Sequence, residues 1–165
     1  MDNDPQRTSS MARRASSRRA MSFLELAIVV AILGLLALAA ITRFGHSTIG
    51  NGAAEGFTRK LAIALMHARR STISTGDNHY LLLTTSGSNV VSYALMRRTS
   101  SGDVQVDETR QVPRDVTVTS SSNTLEFDFE GAALAAYSIT VAGPDRSWNV
   151  SVGILTGSVV VTETT

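Results

Sequence analysis

The carboxylate of Glu25 is the one charge in a run of nineteen residues, FLELAIVVAILGLLALAAI at positions 23–41. A charge among apolar side chains in a membrane-length segment costs on the order of 3 kcal/mol unless it is protonated or meets a cation, and such residues are functional by default. The chemistry open to Glu25 is an ion pair with an ammonium or guanidinium group brought to it by helix packing. The bland alternative puts Glu25 at the headgroup interface, where a carboxylate is solvated and does nothing.

Other reactive side chains are present without the company they need. His46, His67 and His79 have no spacing that sets two of them on one helix or strand face with a carboxylate, so they are expected at the surface or in a joint. Glu126, Asp128 and Glu130 alternate and would project from one strand face, a pattern that fits a solvated strand side better than a calcium site, whose ligands come from loops. Serines and threonines abound, but no G-x-S-x-G elbow or S-x-x-K dyad activates one as a nucleophile. With no cysteine, disulfides, thiolate metal sites and a cysteine nucleophile are excluded. The pairs Arg69-Arg70 and Arg97-Arg98 are expected to be salt-bridged or solvated. An enzyme therefore has no residues to stand on, and neither cofactor nor metal is expected.

The net charge of +1 averages two unlike regions. The first twenty residues hold Arg7, Arg13, Arg14, Arg18 and Arg19 against Asp2 and Asp4, which leaves ten basic and twelve acidic side chains, about −2, for the remainder. That remainder has no electrostatic footprint for nucleic acid. The Arg-rich flank and apolar block together predict a single membrane helix with residues 1–20 retained in the cytoplasm and the chain beyond about Arg43 outside.

The elements that must carry this segment follow in order. Gly45, Gly50 and Gly52 weaken a helix and predict a bend or joint after the apolar block. Phe57, Leu61, Ala64, Leu65 and Ala68 then recur at helical spacing, so a second helical stretch should lie on an apolar surface. That surface should be a sheet, because short β-type runs follow at 79–84, 89–97, 104–106, 116–119, 124–129, 137–141, 147–152 and 157–161, separated by Gly, Ser, Asn and Asp. The clearest alternation sets Leu125, Phe127 and Phe129 on a core face against Glu126, Asp128 and Glu130 on a wet one. The expected class is α+β: a long N-terminal helix, membrane-spanning in its first half and amphipathic in its second, packed on an antiparallel sheet or sandwich.

The stretch Arg19-Ala20-Met21-Ser22-Phe23-Leu24-Glu25-Leu26, continuing Ala27-Ile28-Val29-Val30-Ala31-Ile32-Leu33-Gly34, resembles the signal of type IV pilins and type II secretion pseudopilins. In that family a basic leader ends at a small residue, prepilin peptidase cuts there, the new N-terminus is methylated, and a glutamate stands fifth in the mature chain. The resemblance implies a cut between Ala20 and Met21, N-methylation of Met21, and Glu25 as the assembly residue, pairing with the Met21 ammonium of a neighbouring subunit. The membrane helix would be lined by Phe23, Leu24, Leu26, Ile28, Val29, Val30, Ile32, Leu33, Gly34, Leu35, Leu36 and Ile41. Ala20 stands where the family usually has glycine, and Thr42 where many members have proline.

Later residues resemble the H-type pseudopilin and FimT-like minor pilin group: Leu61, Leu65, Ala68 and Arg69 at a helix end, Leu125-Glu126-Phe127 with Gly131, and Trp148-Asn149-Val150-Ser151-Val152 with Gly157. This implies the pilin-like fold and four regions: leader 1–20, polymerisation helix 21–45, amphipathic helix 46–76 and periplasmic β domain 77–165. It also implies a minor pilin or pseudopilin of the bacterial inner membrane, single-pass with a cytoplasmic N-terminus. Its partners would be other pilin subunits, prepilin peptidase, the inner-membrane assembly platform and membrane lipid. Two alternatives remain: a DNA-uptake minor pilin, although Gly157-Ser158-Val159-Val160 lacks the arginines of that group's G-R-x-R motif, and a secreted or anchored β-domain binder. For the latter, Ala37-Leu38-Ala39 fits an ordinary signal-peptidase site, and Ser17-Arg18-Arg19 is half of a twin-arginine signal.

Overall fold

The computed structural model describes residues 22–164, with 42–46 by backbone alone. The chain divides into two compact units, Met1–Ala39 and Ala40–Thr165. The described part of the first unit is helix from Phe23 onward. The second holds the remaining helix and, among the described residues, every strand.

Helix α1, Phe23–Thr75, is a single element. Where the sequence predicts a glycine joint, helical hydrogen bonding runs on through Gly45, Gly50 and Gly52. Gly50 is needed for closeness: a Cβ there would lie 2.6 Å from the Pro144 ring, and the same approach would set a Gly143 Cβ 3.2 Å from that of Ala54. The side chain of the next residue fastens the contact, Asn51 Oδ1 accepting from the Asp145 N–H at 3.1 Å. The helix ends where Gly76 takes φ +78 and its N–H bonds the Thr72 carbonyl at 2.9 Å, a left-handed glycine stop.

Nine strands follow: β1 His79–Ser86, β2 Asn89–Thr99, β3 Gly102–Gln105, β4 Arg110–Gln111, β5 Thr117–Ser120, β6 Thr124–Phe127, β7 Tyr137–Ala142, β8 Ser147–Val152 and β9 Val159–Thr164. They form two antiparallel sheets, one ordered β3-β2-β1-β6 with β4 also on β2, the other β5-β7-β8-β9. One core joins both sheets to α1. Phe57, Leu61, Leu65 and Ala68 from the helix meet Leu81, Leu95 and Phe127 of the first sheet and Ile139, Val141 and Val150 of the second. The ring of Phe57 meets Tyr93 edge-on at 5.9 Å. Of the expected helix face, Ala64 alone is partly exposed.

Eight of the strands overlap the expected runs. The ninth, β4, is two residues long and has no alternation to reveal it. The expected faces of the run at 124–129 hold only in part: Glu126 is 8 % exposed and Phe129 61 %. The strand stops at Phe127 because Asp128 Oδ1 accepts the N–H groups of Glu130 and Ala132 at 3.0 and 2.9 Å, turning the chain before Phe129 can enter the core.

Candidate functional site

Ala20 and Met21 lie outside the described residues. Glu25 lies in the first turn of α1 and is exposed. The Ser22 carbonyl accepts the Leu26 N–H at 3.1 Å, which makes Ser22 the N-cap and Glu25 the third helical residue. Ser-x-x-Glu is the spacing of a capping box, so Glu25 has a local role open to it as well as an intersubunit one. The S-x-x-E pattern was there to be read in the sequence. A carboxylate in a first turn is also favoured by the helix dipole.

Phe23–Ile41 has a mean hydropathy of 2.8 and none of it is buried. Phe23, Leu24, Leu26, Ile28, Val29, Val30, Ile32, Leu33, Leu35, Leu36 and Ile41 are each exposed by 41 % or more, and Gly34 is exposed too. A soluble core helix would be covered. This one is apolar all round and uncovered, and it is long enough to cross a membrane.

In the second unit several of the polar side chains that the sequence singles out are engaged within the fold. Arg98 clasps Glu126 with Nε and Nη2, both at 2.9 Å, and Asn78 Nδ2 donates to the same carboxylate at 3.1 Å. The Glu126 partnership holds the Arg98 guanidinium above its usual pKa. Arg97 stands 3.9 Å from Asp77. The arginine pair is thus turned to carboxylates, and Glu126 and Asp128 are each committed to different partners. Among the described residues no group of three or more His, Cys, Asp or Glu is placed to hold a metal. His67 is exposed, whereas His79 is buried with Nδ1 2.8 Å from the Asp77 carbonyl, a core histidine and not the expected surface one.

Tyr80 donates to Asp103 at 2.6 Å beneath the Arg98 guanidinium, 5.1 Å from its ring centroid. Burial first, and the Asp103 hydrogen bond next, push its pKa up to about 12. A tyrosine raised in the folded state favours folding fully below its unfolded pKa of 10.0 and loses that contribution as pH climbs from 10.0 towards 12. Asp103→Asn is expected to bring the Tyr80 phenolate transition down, as followed by ultraviolet absorbance with Tyr80→Phe to assign it. An unmoved transition would remove Asp103 from the account.

The residues that carried the later resemblance come together. Arg69 Nε donates to the Gly131 carbonyl at 2.9 Å, and a Cβ on Gly157 would fall 2.0 Å from that same carbonyl oxygen. Helix end, β6–β7 turn and β8–β9 loop are thereby clamped at one point. Tyr137 adds a tie between sheets, its hydroxyl accepting the Glu126 N–H at 3.1 Å.

No protein-family model matches this chain, and no curated protein matches it. Solved structures do. The type IV minor pilin FimU of Pseudomonas aeruginosa superposes with a TM-score of 0.54 at 15 % identity, over 72 % of this chain and 92 % of that one. A second crystal form of FimU gives 0.53 at 14 %, over 68 % and 91 %. The minor pseudopilin EpsH from the type 2 secretion system of Vibrio cholerae gives 0.53 at 11 %, over 71 % and 96 %. The chain has the pilin-like α+β fold.

Proposed function

We propose that the protein is a minor pilin or pseudopilin, a structural subunit and not an enzyme. It is cut by prepilin peptidase between Ala20 and Met21, methylated at Met21, and built into a type II secretion pseudopilus or a type IV pilus. It is held in the bacterial inner membrane with its N-terminus cytoplasmic and the strands periplasmic, a direction favoured by the arginines of residues 1–20. The carrying observation is a pilin-like domain preceded by an uncovered apolar helix whose one charge, Glu25, stands in its first turn. In the filament Glu25 meets a neighbour's Met21 ammonium, each relieving the other's desolvation. The assembly platform and other pilin subunits are its partners.

The N-terminal sequence of the mature protein in its host is the test. A chain beginning at N-methylated Met21 is expected. A start near Ala40 would mean ordinary signal-peptidase release and would end this reading.

A further inference from the structure

We infer that the face of α1 turned away from the sheets, from Ile49 to Ile73, seats a helix of a different and acidic subunit and is built against a second copy of this chain. The inference rests on the filament-subunit reading and adds to it what kind of neighbour the subunit takes.

Ile49, Ile63, Met66 and Ile73 are exposed by 72, 62, 50 and 51 %. They are not scattered. With Gly52, Gly56, Arg59 and Arg70 between them, they recur at alternating steps of three and four residues, the 3.5-residue period of a seam that meets another helix at a shallow left-handed crossing. The two glycines have nothing within 4 Å of where a Cβ would stand, so no contact inside the subunit calls for them. Each weakens the helix by about 1 kcal/mol relative to alanine, a cost that close approach of a partner's backbone would offset.

Charge decides which partner. This face carries Arg59, Lys60 and Arg70 against one carboxylate, Glu55, which Arg59 already holds at 2.5 Å. On the Lys60 flank the β3–β4 turn brings in Asp107 and Glu108; Arg110 takes Asp107 at 3.0 Å, which leaves Glu108 as the carboxylate nearest Lys60 and Arg70 as the cation this face does not answer. Arg70, between Met66 and Ile73 on the seam, has no acidic partner among the described residues. Two copies packed through this face, in either direction, would set an excess of cations against the same excess. A helix bearing carboxylates would pair with Arg70 and add to the partners of Arg59 and Lys60 while covering the isoleucines.

The chain has no cysteine, so one introduced as Ile63→Cys reports contact at the seam. Two differently tagged full-length copies would be co-expressed in bacterial membranes, one otherwise unchanged and one also carrying Arg59→Glu, Lys60→Glu and Arg70→Glu. Disulfide formation is expected to favour the mixed pair over either matched pair by about fivefold or more, from three exposed charge pairs. Arg70→Glu alone should shift the ratio the same way by a smaller factor. Matched unchanged copies cross-linking as readily as mixed ones, or no enrichment of the mixed pair with either variant, would overturn the inference. The readout is taken in the membrane before any filament forms, so it fails independently of processing at Met21.

Discussion

Replacing Gly157 with alanine is expected to destabilise the second unit by about 3 kcal/mol, lowering its melting temperature by roughly 10 °C. Two costs add. At φ +56 an alanine pays about 1 kcal/mol for the left-handed conformation. Its Cβ would also lie 2.0 Å from the Gly131 carbonyl oxygen and 2.9 Å from Arg69 Nε, which no L side chain tolerates. The turn must retreat, and the Arg69 hydrogen bond at 2.9 Å, worth about 1.5–3 kcal/mol as a charged-group bond, is lost or lengthened. Gly131→Ala should cost less although its φ is +83, because the nearest atom is the flexible tip of Ile73 at 2.6 Å and not backbone. Gly52→Ala and Gly56→Ala carry the opposite sign. Nothing lies within 4 Å of either, so each should stabilise by about 0.5–1 kcal/mol. Far-UV circular dichroism melts of the full chain in detergent would rank the four. A Gly157→Ala protein melting within about 2 °C of the parent would show that the clamp does not hold the loops.

These glycines mark the limit of what the sequence discloses. The apolar block at 23–41, the helix face of Phe57, Leu61, Leu65 and Ala68, and eight strands were legible because each rests on a local periodicity of 3.6 or 2. What was not legible depends on partners distant along the chain. Gly50 looks like a helix breaker until Pro144, 94 residues on, fills the space a Cβ would need. Glu126 looks like the wet side of a strand until Arg98 and Asn78 close on it. Phe129 fits the alternation and yet lies outside, because Asp128 ends the strand first. The assignment of Arg69, Gly131 and Gly157 to one group by resemblance acquired a physical content only when the fold brought a guanidinium, a carbonyl and a missing side chain to a single point.

Glu25 presents the other large effect, and here two roles must be separated. Exchanging Glu25 for leucine should leave membrane insertion intact or improve it, since the change removes a penalty of roughly 3 kcal/mol at most for a carboxylate in the bilayer. Incorporation into filaments should nevertheless fall by about tenfold or more, the factor that about 1.4 kcal/mol of lost pairing with a neighbour's ammonium would produce. Leucine also removes any capping-box contribution to the helix start that begins at Ser22. Glu25→Gln distinguishes the two, because glutamine serves a capping box as glutamate does but carries no charge. If the carboxylate acts between subunits, the glutamine protein inserts normally and is excluded from filaments as severely as the leucine one. Glutamine supporting normal incorporation while leucine does not would reassign Glu25 to its own helix, and the ammonium pairing would have to be given up. Sheared-filament fractions compared with membrane fractions, for the three proteins expressed at equal level, give the ratio that decides it.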